Sequence, residues 1–81
     1  MKILDAGFNM DSIKINNSII TGVGDVLSTE NDVDVYYDRF SFTYEIDNDF
    51  VIVNDLDEDV FGDYLEEIDI IVKENIKTNI L

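Results

Sequence analysis

The stretch DLDEDVFGDYLEEIDIIV, residues 55–72, decides the fold, because it is both the best helix candidate in the chain and its densest block of negative charge. Asp55 followed three residues later by Glu58 matches a capping box, in which the first side chain bonds a free backbone N–H and the second reaches back. A helix is therefore predicted to start here. At about 100° per residue, Val60, Phe61, Tyr64, Leu65, Ile68, Ile71, Val72 and Ile76 are assigned to one broad apolar face. Asp55, Asp59, Asp63, Glu66 and Asp69 are assigned to the opposite one. Asp55, Asp57, Glu58 and Asp59 suit the positive end of the helix dipole, and Lys73 and Lys77 suit the negative end, each worth ~0.3–1 kcal/mol when exposed. Against this, the like-charged pairs Asp59/Asp63 and Asp63/Glu67 each cost ~0.2–0.5 kcal/mol, and Gly62 in the interior costs roughly 1 kcal/mol. Stability is given up for charge, which points to function, although an acidic helix face is most often simply a solvated one.

Upstream of the helix the period changes to two. Ile13 and Ile15 alternate with polar residues, Asn16-Asn17 accept the positive φ of a tight turn, and Ile19-Ile20 return, which predicts a hairpin. Met1 to Leu4 reads as a short strand or an ordered terminus, with a turn at Gly7. Gly22-Val23-Gly24 reads as punctuation, and Asp25 to Asn31 as a loop or short helical turn carrying Val26 and Leu27. From Asp32, Val33, Val35 and Tyr37 alternate with Asp32, Asp34 and Tyr36. The parity shifts at Asp38-Arg39, and Phe40, Phe42, Tyr44 and Ile46 take over, so a turn or bulge is expected there. Asp47-Asn48-Asp49 is a second turn, and Phe50 to Val53 an apolar run of strand length. The expected fold is α+β: one domain over residues 1–81, with an antiparallel meander of about four or five strands packed by a single C-terminal amphipathic helix.

Composition supports folding and argues against catalysis. Leu, Ile, Val and Phe supply 30 of the 81 residues, well above the roughly 20% below which a highly charged chain stays disordered. Histidine and cysteine are both absent, which removes the commonest general base, Ser-His and Cys-His nucleophile pairs, thiolate metal sites and disulfides. No enzyme activity and no cofactor are expected. No run approaches the ~18 apolar residues of a membrane span, and a cytoplasmic location follows as an expectation. Residues 25–69 hold sixteen acids and a single base, Arg39, so all of the excess negative charge behind the net −14 lies in the middle of the chain. Twelve isoleucines, eight asparagines and no proline give a background in which lysine would ordinarily be plentiful. Only four lysines occur.

Three functions fit the acids. The first is mimicry of nucleic-acid phosphates. Residues two apart on a strand lie ~6.5–7 Å apart on one face, and residues three or four apart on a helix ~5–6 Å apart, spacings close to those of successive phosphates. Asp55, Asp59, Asp63, Glu66 and Asp69 would form the main row, with Asp32, Asp34, Asp47 and Asp49 in support. The partner would be a basic nucleic-acid-binding protein or nuclease complex, without direct binding to nucleic acid or membrane, by a monomer or homodimer. In kind, such a molecule is like the small acidic anti-CRISPR, anti-restriction and uracil-glycosylase inhibitors of phages and mobile elements, acting in the host cytoplasm. The likeness is one of class and covers no defined residues. The second is an immunity protein or antitoxin that neutralises a basic nuclease. The third is calcium binding, because Asp55, Asp57, Asp59, Asp63 and Glu66 fall at EF-hand ligand spacings with Phe61 at the carbonyl position; the sharp-turn glycine is replaced by Val60, and no helix precedes the loop. Tyr36, Tyr37, Tyr44 and Tyr64 read as core or rim aromatics, and Arg39 as the partner of a neighbouring acid.

Overall fold

A computed structural model describes residues 1–81. Strands β1 (Lys2–Phe8), β2 (Lys14–Asn16), β3 (Ile19–Thr29), β4 (Val35–Glu45) and β5 (Phe50–Asn54) precede helices α1 (Glu58–Phe61) and α2 (Leu65–Asn79). All pairings are antiparallel, in the order β1-β3-β4-β5, with β2 also on β3. The sheet curls around the helical segment, which packs chiefly on β1 and β5. The fold is α+β, a meander covered by its C-terminal helix.

The two-residue alternation builds the core. Phe40, Phe42 and Tyr44 of β4 and Ile20 and Val26 of β3 point inward and are buried, and Ile68, Val72 and Ile76 of α2 meet them at helical spacing. Each large apolar side chain removed from water in this way contributes ~1.5–3 kcal/mol. Phe61 closes one end of the core from α1. Of the C-terminal residues, Ile76 is fully buried, Ile80 packs against the core and Leu81 is exposed.

β1 and β2 together form one interrupted edge strand along β3. Between them Met10–Ser12 make a 3₁₀ turn, and Ser12 Oγ stands in for the missing ladder. It accepts from the Val23 N–H at 3.0 Å and donates to the Asn9 carbonyl at 2.6 Å. The hairpin predicted at Asn16-Asn17 forms, with Asn17 at φ 56°.

Three expectations are corrected. Gly22 and Gly24 do not end a strand, and Asp25–Asn31 is not a loop; β3 runs without a break to Thr29. A Cβ on Gly24 would lie 2.0 Å from the Gly7 carbonyl oxygen, so the glycine is there to let β1 approach, and Gly7 itself lies in β1 rather than in a turn. Next, Asp32 and Val33 are not strand residues. Thr29 Oγ1 accepts from the Asp32 N–H and Asn31 Oδ1 from the Val33 and Asp34 N–H groups, which makes a polar turn with Asp32 at φ 63° and leaves Val33 80% exposed. No bulge occurs at Asp38-Arg39, and β4 is continuous, because Val35 and Tyr37 lie on the exposed face and the even-numbered Phe40, Phe42 and Tyr44 on the buried one.

The third correction concerns the helix start. Asp55 turns the chain at φ 72° and accepts from Ser41 Oγ at 2.6 Å. Asp57 is the cap, accepting from the Asp59 N–H, and the helix begins at Glu58. It then tightens to 3₁₀ over Gly62–Tyr64 before resuming as α2. Phe61 is thereby turned into the core, while Val60, expected inside, is 49% exposed.

Candidate functional site

The helical break scatters the expected main row. Asp59 is exposed on α1, Asp63 is exposed within the 3₁₀ turn, and Asp55 precedes the helix, so these three share no continuous α-helical face. Glu66 and Asp69 lie on α2 beside Lys73, along a groove that Phe50 and Val51 line from β5. Asp69 is half-buried, at the flank of the stripe formed by Leu65, Ile68, Val72 and Ile76 rather than opposite it. Loss of water around its carboxyl raises its pKa, partly offset by Lys73. On a wheel of about 100° per residue it stands only some 60° from Val72, which is why packing claims it.

The supporting acids also separate. Asp32 and Asp34 occupy the β3–β4 turn, and Asp47 and Asp49 the β4–β5 turn, at opposite ends of β4. An eleven-residue strand places these turns on the order of 35 Å apart. Asp49 is also the least available of the set. Its carboxylate accepts from the Tyr44 hydroxyl and lies 3.1 Å from Lys77 and 3.8 Å from Lys73. The Tyr44 bond first, then Lys77, hold its pKa below the ordinary carboxylate range. The same bond, with burial, raises the Tyr44 pKa.

What the fold brings together instead is the β3–β4 end of the molecule and α1. Met1, Ser28, Glu30, Tyr36, Asp38, Val60 and Phe61 line one shallow depression there. Glu30 and Asp38 line it, and Asp32, Asp34, Asp55, Asp57, Glu58, Asp59 and Asp63 lie on the same two segments, 30–38 and 55–63, which together hold nine of the nineteen acids in under a quarter of the chain. The positive groups in that region are the Met1 ammonium, 3.6 Å from Glu30, Lys2 and Arg39. Arg39 of β4 stands directly opposite Asp25 of β3 but closes no ion pair with it or with any other acid, so the pairing expected of this base is not made.

Apolar side chains are interleaved with these acids. Val33, Val35, Tyr36, Tyr37 and Val60 are all exposed, Tyr37 by 68%. Of the four tyrosines only Tyr44 belongs to the core and Tyr64 to its margin. The exposure of Tyr36 and Tyr37 was hidden in the sequence by their place in an apparently regular strand pattern, and its one signal was the parity conflict at Asp38-Arg39.

No group of three or more acidic side chains is close enough to hold a metal ion, so the EF-hand spacing does not become a coordination shell in this arrangement. No helix is long and apolar enough to cross a membrane. Comparison with known proteins gives no matching family, no similar curated protein and no similar solved structure.

Proposed function

We propose that this protein is a non-enzymatic inhibitor that occupies a basic nucleic-acid-binding protein or nuclease complex of a host defence system, with carboxylates standing where that protein receives phosphates. The observation that carries this reading is the packing of α1 beside the β3–β4 end of the sheet, which brings near one another two segments, 30–38 and 55–63, that carry nine of the nineteen acids. A protein that grips phosphates with Lys and Arg gains much of its affinity by releasing counterions, and a folded carboxylate surface offers the same exchange. The surrounding field also steers encounter, raising association rates by up to ~10³. Asp32, Asp34, Asp59 and Asp63 are the central positions, with Asp55, Asp57 and Glu58 beside them. Asp47, Asp49, Glu66 and Asp69 lie outside this cluster.

The test compares two variants of equal charge. One reverses Asp32, Asp34, Asp59 and Asp63 to Lys; the other reverses Asp47, Glu66, Glu67 and Glu74. Proteins held by the wild type at physiological salt are captured from host lysate, and their affinity and competition with their own nucleic acid are measured. The first variant is expected to lose about 100-fold, equivalent to ~2.7 kcal/mol, and the second about tenfold or less. Equal losses would mean that net charge alone drives binding and that no phosphate-like site exists. A captured nuclease encoded beside this protein, rather than by a host or rival, would make it an immunity protein using the same surface.

A further inference from the structure

β4 is eleven residues long, but β5 pairs only with its second half, from Ser41 to Glu45. The half from Val35 to Phe40 therefore has β3 on one side and no strand on the other. The direction of its backbone groups follows from two bonds. The Asn9 N–H donates to the Val23 carbonyl, so odd-numbered residues of β3 face β1. The Ile46 N–H donates to the Ser18 carbonyl, which continues the β3–β4 ladder through even-numbered residues. In an antiparallel ladder these directions alternate along each strand. Tyr36, Asp38 and Phe40 thus use their backbone groups toward β3, whereas Val35, Tyr37 and Arg39 turn their N–H and C=O groups to the open side. Neither the bonds outside regular elements nor the side-chain bonds reach those three residues, and all three are exposed.

We infer that this open edge, Val35 to Arg39, is a strand-addition site for an extended, basic segment of the partner protein. A free edge is a template for main-chain pairing, with side-chain contacts supplying choice. Here Val35 and Tyr37 offer an apolar surface on one face of the edge. On the other, Tyr36 and Asp38 stand beside Val60 of α1. Charge selects the occupant. Asp34 and Asp38 flank the edge, Asp55 is held at Ser41 where β5 leaves it, and the whole chain carries −14. A second copy would bring its own net charge of −14 against this one, and the two would repel, whereas a segment rich in Lys and Arg meets a field of opposite sign. The basic character of the occupant rests on the inhibitor reading above; the open edge does not.

The test uses a peptide probe, Lys-Val-Lys-Val-Arg-Val-Lys-Val-Lys with blocked ends, added to isotope-labelled protein at physiological salt while amide exchange is followed by NMR. Protection of the Val35, Tyr37 and Arg39 amides by tenfold or more, with Tyr36, Asp38 and Phe40 unchanged because they are already bonded, is the expected result. The same peptide N-methylated at every residue keeps its charge but loses the donors of both its edges, and should give no protection. Tyr37→Pro, which removes an N–H that the fold does not use, should abolish probe binding with the circular dichroism spectrum retained. Should that variant unfold, the alternate-residue pattern in the wild type decides alone. Shifts spread over the acids without protection of those three amides, or no protection at millimolar peptide, would overturn strand addition and leave the charge-based reading to its own test. Protection that rises with protein concentration in the absence of peptide would overturn it in favour of a self-associating edge.

Discussion

Asp49 ties the end of α2 to the sheet. Set in the β4–β5 turn at φ 50°, it receives the Tyr44 hydroxyl from below and both helix lysines from above. Tyr44 is almost fully buried, and a buried hydroxyl left without a partner costs ~1–3 kcal/mol, so the core depends on this surface acid. Because the Asp49 pKa is depressed on folding, the folded protein holds that proton less tightly than the unfolded chain does. Its contribution is therefore complete above the ordinary carboxylate value of about 3.9 and is lost as pH falls through the lower folded value. Asp49→Asn is expected to lower stability at neutral pH and to match the wild type more closely once the medium is acidic enough to protonate Asp49 in the folded protein. Denaturant titrations of both proteins at about pH 7 and about pH 2.5 check this. A gap of the same size at both would show that the contact acts without the charge.

At the scale of elements, Gly62 marks where the helical segment changes course. Its φ of −51° and ψ of −41° are ordinary helical values, and a Cβ there would meet nothing within 4 Å. Glycine is thus not required by space or by backbone angle. Gly62→Ala is expected to stabilise the protein by ~0.5–1 kcal/mol, read as an upward shift of the melting temperature. If α1 and α2 must flex relative to one another to engage a partner, affinity will fall as stability rises. Gly24 is the contrasting case, because only glycine admits the β1 backbone beside it. From the sequence the two looked alike as interruptions of a pattern, since what separates them is a neighbour about seventeen positions away in the chain. The same limit hid β3. Its long pairing with β4 comes from contacts between residues such as Val26 and Asp38, whereas local turn residues such as Asn17 declared themselves. Likewise Phe40, Phe42 and Tyr44 were legible as core by alternation alone, while Asp57 as the cap in place of Asp55 depended on the Ser41 hydroxyl that draws Asp55 aside.

For the whole molecule, nineteen acids on a sheet-and-helix body 41 Å long must be held together against their own repulsion. Only three ion pairs form, one of them through the N-terminus and two through the single carboxylate of Asp49. Most of the carboxylates are therefore repelled by their neighbours without local compensation, and net charge of this size destabilises a compact state. Salt shortens the range of that repulsion, from ~30 Å at 0.01 M to ~8 Å at 0.15 M, so NaCl is expected to raise the melting temperature, by about 5 °C or more across this interval if ~1 kcal/mol of repulsion is relieved. A fold stabilised mainly by surface ion pairs would respond in the opposite direction. The same titration separates screening from a specific cation site. Magnesium and calcium at equal ionic strength should raise the melting temperature alike if they act on the field as a whole. A much larger shift with calcium alone would mean that some of the acids around α1 rearrange to hold the ion, and the surface would then have to be read as a calcium site before it was read as a phosphate mimic.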